Sequence, residues 1–464
     1  MGCAMSYHDF IAQKLSSAPP TGIRSGFSVP SSLFPHQSAL TAWAIRRGRA
    51  AIFADTGLGK SRMQLAWADA VRRHTKRPVL ILAPLAVAQQ TADEGAEIGV
   101  GVTVCRDGAD VRRGINSTNY DRLHRFDPSM FGGVVLDESS CIKHHDAKTL
   151  RTLLDAFRDT PFKLCATATP APNDWTELGT HAEFLGICSR QEMLAEYFTH
   201  DGGETSVWRL KGHARHLFWQ WVSQWGAMVR KPSDLGFDDV AYALPPLHLH
   251  EHTVQTEMPL NGMLFAAEAQ TLSERRDARR MSIEDRVREC AAIVNADMQP
   301  WVVWCDLNAE GDALTKAIEG AVQIAGADSA GDKEQRLADF ASGRFRVLVS
   351  KPSICGFGLN WQHAARMAFV GVTDSFESYY QAVRRCWRFG QKRDVHVHIF
   401  ASSAEGAVVA NLRRKERDAL AMAESLSAET RDAVMAEVRG TTRHTNTYNA
   451  AMKVAVPAWL KEAA

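Results

Sequence analysis

The stretch AIFADTGLGKSRMQ, residues 51–64, constrains the fold more than any other part of this 464-residue chain. An apolar run, a glycine-rich turn and a helix-like segment follow one another, which predicts a strand, a loop and a helix in that order. Glycines let backbone N–H groups close around phosphate oxygens, and the N-terminus of the following helix attracts negative charge. The stretch therefore predicts a phosphate-binding loop at the end of a sheet strand.

Strands and helices alternate around this loop, and the alternation predicts a parallel sheet covered on both faces. A second alternating block begins after about residue 290 and continues to about residue 400. Residues 174–230, between the two blocks, are predicted to be helical only, and their Trp-rich cluster at 216–225 indicates packing rather than a platform for stacking bases. The predicted fold class is α/β, with two parallel-sheet lobes in tandem and a helical insert between them.

These patterns divide the chain into four parts. We predict a flexible leader at 1–30, a first lobe at 31–245 that includes the insert at about 174–230, a second lobe at 246–402 and a C-terminal helical segment at 403–464.

Composition limits the partners and the compartment. The net charge is +1, so phosphate binding must come from local geometry rather than from the field of the whole molecule. Nine scattered cysteines without a C-x-x-C pair indicate free thiols in a reducing compartment. No apolar run approaches the roughly 18 residues that a membrane span needs, so we expect a cytoplasmic protein with no membrane partner.

Two groups of polar residues in the first lobe predict nucleotide chemistry. Lys60 is positioned to reach β and γ phosphate oxygens, and Ser61 to ligate magnesium. Asp137 and Glu138 end the apolar strand GGVVLDE, where Asp137 would hold the metal and Glu138 would polarise the attacking water. Ala54 stands where the full phosphate-loop pattern has its first glycine. The rest of the predicted loop consists of Thr56, Gly57, Leu58 and Gly59.

The stretch QAVRRCWRFGQ, residues 381–391, carries three arginines beside a tryptophan. One interpretation is an exposed basic helix face. The other is that arginines from the second lobe neutralise the γ-phosphate when the lobes close, an effect worth about 10³ to 10⁵ in rate. Trp387 is expected to pack this segment onto its own lobe.

Several motifs together resemble those of superfamily 2 helicases. ADTGLGKS, LDESS and ATATPAPN resemble motifs I, II and III, and the tract from Asp137 through DESSCIKHHDAKT resembles the Swi/Snf-type branch. FPHQ, APLAV and NSTNYDRL resemble the Q motif, motif Ia and the next nucleic-acid motif, while residues 350–371 and 381–391 resemble motifs V and VI. Ser140 departs from the histidine that often ends motif II. The resemblance covers roughly residues 33 to 425 and implies two RecA-like lobes.

The resemblance also implies roles for further residues. It places Gln37 at the base of ATP, Gly358, Asn360 and Gln381 around the nucleotide, Arg385 and Arg388 in catalysis, Thr167 and Thr169 in coupling, and Pro84, Thr118 and Ser350 at the nucleic acid. Arg384 falls at a variable position of motif VI, and the resemblance leaves it open between the site and an exposed basic helix face. ATP and magnesium are the implied substrate and cofactor.

The function implied is a DNA-dependent ATPase motor that translocates on duplex DNA or remodels DNA structures, of a minimal bacterial or bacteriophage type. It would act in the cytoplasm of a bacterial or phage-infected cell. Alternatives are a strand-separating DNA or RNA helicase, a motor subunit that serves a separate nuclease or a replication or recombination partner, and a DNA-binding scaffold without activity. The combination of Lys60, Glu138, Arg385 and Arg388 favours an enzyme over a scaffold.

Overall fold

A computed structural model describes most of the chain. The described residues are 20–84, 87–143, 148–171, 174–201, 204–254, 279–355, 360–371 and 376–402, with separate positions at 413, 414, 417, 424, 427, 431 and 435. Residues 1–19 of the predicted leader and most of the predicted C-terminal segment lie outside them.

The first lobe is built on a parallel sheet of seven strands in the order β3-β4-β2-β5-β6-β1-β9. Its strands are β1 (Arg49–Ala54), β2 (Val79–Ala83), β3 (Val102–Val104), β4 (Ile115–Asn119), β5 (Gly133–Asp137), β6 (Phe162–Thr167) and β9 (Gly226–Val229). All strands run the same way, so β1 and β5 end at the same edge of the sheet, and that edge is where open parallel sheets place ligands.

Seven α-helices accompany the first lobe. They are α1 (Pro35–Arg47), α2 (Lys60–Thr75), α3 (Ala88–Glu97), α4 (Lys148–Ala156), α5 (Leu178–Leu185), α6 (Arg190–Tyr197) and α7 (Arg215–Val222) among the described residues.

The second lobe is built on a six-stranded parallel sheet in the order β10-β15-β14-β11-β13-β12. Its strands are β10 (Leu247–Val254), β11 (Trp301–Cys305), β12 (Ala321–Ile324), β13 (Val347–Ser350), β14 (Arg366–Val370) and β15 (Val395–Ser402). Its described α-helices are α8 (Ile283–Ala296), α9 (Asn308–Ala317), α10 (Ala330–Ala341), α11 (Pro352–Cys355) and α12 (Phe376–Val383).

Both sheets are buried on their two faces, as the alternating pattern predicted. In β1, Phe53 belongs to the apolar cluster on one face and Ile52 to the cluster on the other. In β11, Trp304 and Val303 divide between two clusters in the same way. Successive side chains of a strand point to opposite faces, so continuous apolar runs such as these are what a doubly covered sheet requires. The predicted fold class, two α/β lobes in tandem, is confirmed.

The expectation of helices alone between the lobes is wrong. The segment contains α5, α6 and α7, but it also contains an antiparallel pair, β7 (Phe198–Asp201) and β8 (Glu204–Leu210), and the strand β9, which joins the first sheet beside β1. The absence of a side chain at Gly226 explains the fit of β9, since a Cβ atom there would lie 3.1 Å from the ring of Phe53. Trp219 and Trp225 are fully buried in the same lobe, so the predicted packing role of the cluster is confirmed.

The described end of the predicted leader is anchored rather than loose. The backbone N–H groups of Thr21, Gly22 and Ile23 donate to the carbonyls of three successive residues at the end of α1. Gly22 permits this approach, because a Cβ atom there would lie 2.1 Å from the Ile45 carbonyl oxygen. The leader therefore begins to pack on α1 within its described residues.

Within the described residues, the cysteines are all free thiols. None of the helices in that part of the chain is long and apolar enough to cross a membrane.

Candidate active site

A cavity of about 390 Å³ lies between the two lobes, a volume in the range that small-molecule sites occupy. The first lobe contributes the loop after β1 and the two carboxylates after β5, and the second lobe contributes residues before and after α12. The predicted site residues that line it are Thr56, Gly57, Gly59, Lys60, Ser61, Gln37, Asp137, Glu138, Asn360, Arg385 and Arg388. Motifs that lie far apart in the sequence therefore face one space.

The loop after β1 depends on two glycines. Gly57 and Gly59 have φ values of 92° and 83°, in the left-handed region that side chains disfavour. A Cβ atom at Gly59 would lie 2.1 Å from Nε2 of Gln37, and one at Gly57 would lie 3.0 Å from the backbone N of Phe389 in the second lobe. The glycines thus serve the turn itself and also allow a first-lobe helix and the second lobe to approach it.

Lys60 begins α2 and is half-buried beside the loop. Its Nζ donates to the Ala54 carbonyl at 2.9 Å, within the turn that precedes it. Desolvation lowers the pKa of Lys60, and the neighbouring carboxylates, with Glu138 foremost, oppose that shift. An ammonium in contact with backbone carbonyls can exchange those acceptors for phosphate oxygens, which carry full negative charge.

The carboxylates follow β5, at the same edge of the sheet. Oδ1 of Asp137 accepts a hydrogen bond from Nε2 of Gln64 at 2.6 Å, and its carbonyl oxygen accepts one from the Tyr120 hydroxyl at 2.7 Å. Burial, reinforced by the adjacent Glu138, raises the pKa of Asp137 to about 7. Burial makes this carboxylate costly to ionise, and a bound cation would stabilise its charged form.

Glu138 has two features that point to a missing polar partner. Its φ is 50°, a left-handed conformation that non-glycine residues adopt at a cost and often at functional sites. Its Oε2 atom is buried and has no hydrogen-bond partner within the described residues. The oxygen donors of Asp137 and Ser61 are the kind that magnesium prefers, and the donor set therefore fits a magnesium ion beside ATP.

The second lobe brings two arginines to the cavity, Arg385 buried and Arg388 half-buried. Arg385 is held on its own lobe by Gln381, whose carbonyl accepts from Nε and whose Oε1 accepts from Nη2, both at 3.1 Å. Burial, followed by the charge of Arg388, lowers the pKa of Arg385 to about 10. Desolvation likewise lowers the pKa of Arg388, which Glu94 and Glu138 oppose. Two adjacent cations repel each other, and a polyanion between the lobes would relieve that repulsion.

One end of the cavity is lined by aromatic rings. Phe34, Tyr242 and Phe389 come from three separate segments, and the rings of Tyr242 and Phe389 have centroids 4.8 Å apart. Gln37 adjoins them: its Nε2 donates to the Leu58 carbonyl and its Oε1 accepts from the Phe34 N–H, each at 3.0 Å. These bonds connect the start of α1 to the phosphate loop. They also place a polar amide beside the flat apolar rings, an arrangement that suits a nucleotide base.

The other implied residues are placed as follows. Leu58 contributes its carbonyl to Gln37, and its side chain is buried. Gln381 is bonded to Arg385 and does not line the cavity, so its contact with the nucleotide stays a prediction. Asn360 lines the cavity, and its Oδ1 is buried without a hydrogen-bond partner within the described residues. Gly358 lies outside the described residues.

The two coupling threonines follow β6. The hydroxyl of Thr167 accepts from the Thr169 N–H at 3.2 Å. The Thr169 hydroxyl lies 3.5 Å from Oε1 of Glu377, at the start of α12. The segment therefore touches the second lobe, although it does not line the cavity.

Two of the three predicted nucleic-acid contacts are not available to a ligand. Thr118 is buried and its hydroxyl donates to the Cys105 carbonyl, while the buried hydroxyl of Ser350 donates to the Ile324 carbonyl. Short hydroxyl side chains in central strands satisfy neighbouring carbonyls instead of facing solvent, so these two contacts are not retained. Pro84 lines a second cavity of about 340 Å³, whose wall also includes Glu138.

Several cavity residues had not been singled out from the sequence. These are Arg62, Val87, Gln90, Glu94, Glu97, Tyr242, Gln362 and Phe389. The residues of α3 follow motif Ia, so helical periodicity after that motif was the available signal for them. Tyr242 had no such signal, because only folding brings it back to the loop.

A comparison with models of protein families finds a match within the second lobe. Residues 295–390 match the helicase conserved C-terminal domain. The match runs from the end of α8 to the turn after α12, so most of the second lobe is similar to that domain. The predicted resemblance to helicases is thereby confirmed for the stretch that holds Arg385 and Arg388.

Other comparisons add a structural neighbour. The chain is similar to the Sulfolobus solfataricus SWI2/SNF2 ATPase core in complex with dsDNA, with 16% identity, a TM-score of 0.42, and coverage of 89% of this chain and 98% of that one. No curated protein matches the chain.

Proposed function

We propose that the protein is an ATPase motor of the Swi/Snf-like branch that hydrolyses ATP between its lobes and translocates on duplex DNA. The observation that carries the proposal is that Lys60 and Glu138 of the first lobe face Arg385 and Arg388 of the helicase C-terminal domain across one cavity. A scaffold without activity would not need these four charged groups to converge on one cavity.

Each group has a distinct task in the proposed reaction. Lys60 and the backbone N–H groups of the loop bind the phosphates, and the aromatic end of the cavity takes the base. Magnesium, held by Ser61 and Asp137, would neutralise charge on the β and γ phosphates. Glu138, with an unpartnered oxygen, orients a water and accepts its proton as the water oxygen bonds to the γ-phosphorus and the bond to the bridging oxygen of ADP breaks.

The arginines act on the charge that develops during this step. They stabilise the transferring phosphoryl group from the side opposite the loop, so hydrolysis depends on closure of the two lobes. Opening after phosphate release would then move the lobes relative to each other, and a track bound to both lobes would shift with each cycle. This dependence is our basis for proposing a motor.

We place the DNA near the second cavity, along the ends of β2 and β4. Pro84, Asn119 and Tyr120 line it, and Glu138 belongs to the walls of both cavities. A polynucleotide there would lie next to the group that activates water, which gives a short route from strand binding to hydrolysis. The Swi/Snf-type tract after Asp137 favours duplex DNA over RNA.

The test is steady-state ATP hydrolysis with no polynucleotide, single-stranded DNA, duplex DNA and RNA. We expect the highest rate with duplex DNA, and Lys60→Ala serves as the background control. Equal rates in all four conditions would contradict a polynucleotide-driven motor. ATP-dependent displacement of a triplex-forming strand would support translocation, whereas displacement of a labelled duplex strand would identify a strand-separating helicase instead.

A further inference from the structure

An ion pair directly after α12 joins the second lobe to the first. It has no part in the proposed ATP chemistry. Nη2 of Arg384 lies 2.8 Å from Oδ2 of Asp55, the residue that opens the phosphate loop. The Arg384 side chain is only 8% exposed and that of Asp55 20% exposed. Neither residue lines the cavity. The pair therefore joins the lobes beside the site, where water screens it little.

Asp55 is held from both sides. Its Oδ1 atom accepts a hydrogen bond from the Tyr380 hydroxyl at 2.5 Å and one from the Thr56 N–H at 2.6 Å. Two second-lobe side chains and one N–H of the phosphate loop thus share a single carboxylate. The carboxylate fixes the position of the loop relative to α12.

The guanidinium of Arg384 is also fixed on its own lobe. It lies over the ring of Tyr380 at 5.1 Å and over that of Trp387 at 4.5 Å, and the Trp387 indole donates to the Pro245 carbonyl at 2.8 Å. Burial disfavours its charge, but Asp55 and Tyr380 together more than offset burial, and the pKa of Arg384 lies above its ordinary value. Stacking leaves the planar group little freedom to lose when it meets Asp55.

A second polar contact lies at the other end of the helix. Glu377 at the start of α12 forms an ion pair with Lys143, which follows the Asp137–Glu138 segment, and its carboxylate also meets Thr169. The helix therefore contacts the first lobe at the phosphate loop and again near the coupling threonines. Arg385 and Arg388 follow directly from its end, so their distance from the loop depends on how the helix is seated.

We propose that Arg384 is a positioning residue: by pairing with Asp55 it seats α12 against the phosphate loop and holds Arg385 and Arg388 in place for hydrolysis. The inference rests on the proposed ATPase function and names a residue at a variable position of motif VI, so it concerns this chain in particular. It also assigns Tyr380 a supporting role through its bond to the same carboxylate.

The experiment is a double-mutant cycle of Asp55→Asn and Arg384→Gln in the full chain, with kcat and KM for ATP measured with duplex DNA. We expect each single variant to lower kcat by roughly tenfold to a hundredfold, the range for coupled contacting residues, and the double variant to lose no more than either. KM should change little, because neither side chain lines the cavity. Independent, multiplying losses, or an unchanged kcat in both singles, would overturn the proposal.

Controls separate positioning from folding. Arg384→Lys, which keeps a cation within reach of Asp55, should recover part of the lost kcat, and failure to recover any would count against the pair. Arg158→Gln removes an arginine that is 75% exposed and paired with Asp155 on the surface, and it should leave kcat unchanged. If Arg384→Gln fails to fold, Tyr380→Phe tests the same carboxylate and should lower kcat without a matching rise in KM.

A measurement without ATP distinguishes failure of this inference from failure of the proposed function. In small-angle scattering of the nucleotide-free chain, Asp55→Asn and Arg384→Gln should both increase the radius of gyration as the lobes separate. If the original chain shows no ATPase activity and the radius of gyration still increases in the variants, the proposed function is refuted while the contact between the lobes is supported. An unchanged radius together with an unchanged kcat would refute the positioning role.

Discussion

The two lobes present their site residues in different ways. In the first lobe, Lys60 and Asp137 are held by neighbours of the same lobe, namely the Ala54 carbonyl and the Gln64 amide. In the second lobe, Arg385 and Arg388 come from the end of one helix and the turn after it, and they reach the cavity only because the lobes touch. Under the proposed function, the first lobe has what nucleotide binding needs, while the second supplies groups that act in turnover.

This difference separates binding from hydrolysis. Changes on the second-lobe side of the cavity should reduce turnover while ATP still binds. Changes at the aromatic end, where both lobes contribute rings, should affect binding as well.

Replacing Arg388 should have the largest effect. For Arg388→Ala we expect kcat to fall by about 10³-fold or more, because the transferring phosphoryl group loses a charge partner that acts only in the closed state. The affinity for a fluorescent ATP analogue should stay near that of the original chain. Lys392→Ala, an exposed neighbour, is the matched control and should keep full turnover. A parallel loss of nucleotide affinity would contradict the proposed division between the lobes.

Replacing the water-polarising residue should have the next largest effect. We expect Glu138→Gln to lower kcat by about 10² to 10⁴-fold, the usual range for loss of a general base. The amide keeps the shape and removes the proton acceptor, so ATP should remain bound and uncleaved, as measured by filter retention of γ-labelled nucleotide. Release of labelled phosphate at an undiminished rate would remove Glu138 from its proposed role.

The sequence predicted the first-lobe half of the cavity well, because its motifs are continuous and end at one sheet edge. Burial of whole strands was harder to predict. In β4, Asn116 and Thr118 are buried with their polar groups bonded to the carbonyls of Arg112 and Cys105, so a central strand resembled a polar loop. The strand β10, with histidine at alternate positions, was missed as well.

Contacts between the lobes could not be predicted from local patterns. Asp55 and Arg384 are 329 positions apart, and Gln37 and Tyr242 are 205 apart. Each residue alone has an ordinary alternative role as a loop carboxylate, a basic helix face or a surface aromatic. Gln381 shows the same limit, since its motif implied the nucleotide but folding turned its side chain toward Arg385.

A smaller effect is expected at the aromatic end of the cavity. Phe389→Ala should raise KM for ATP by about tenfold while kcat changes less, because a ring beside the base contributes roughly 1 to 3 kcal/mol of stacking. The same change also removes the contact of Phe389 with Gly57, so a small loss of kcat is expected. Phe389→Leu, with comparable bulk but no aromatic face, is the matched comparison. An unchanged KM for Phe389→Ala would place the base elsewhere.

The smallest effect concerns stability of the second lobe and its dependence on pH. Imidazoles of β10 and β15 stack in a ladder in which His398 lies 4.5 Å from the ring of His250 and accepts or donates a hydrogen bond with His252 at 3.0 Å. Burial first, and then the neighbouring histidines, lower the pKa of His398 to about 4. The charged groups that surround the ladder are Arg366, Asp394 and Glu289.

The lowered pKa of His398 determines how the stability of the second lobe depends on pH. In the unfolded chain, His398 takes up a proton near pH 6.5. In the folded chain it does so only near pH 4. The free energy of unfolding is therefore highest above pH 6.5 and falls as the pH drops from 6.5 to 4. His398→Phe keeps a ring in the stack and removes the proton site, so its melting temperature should fall less between pH 7.5 and 5.5, by about 2 to 4 °C, than that of the original chain. The exposed His213→Phe should not change the slope, and an identical slope for both variants would show that the ladder does not sense pH.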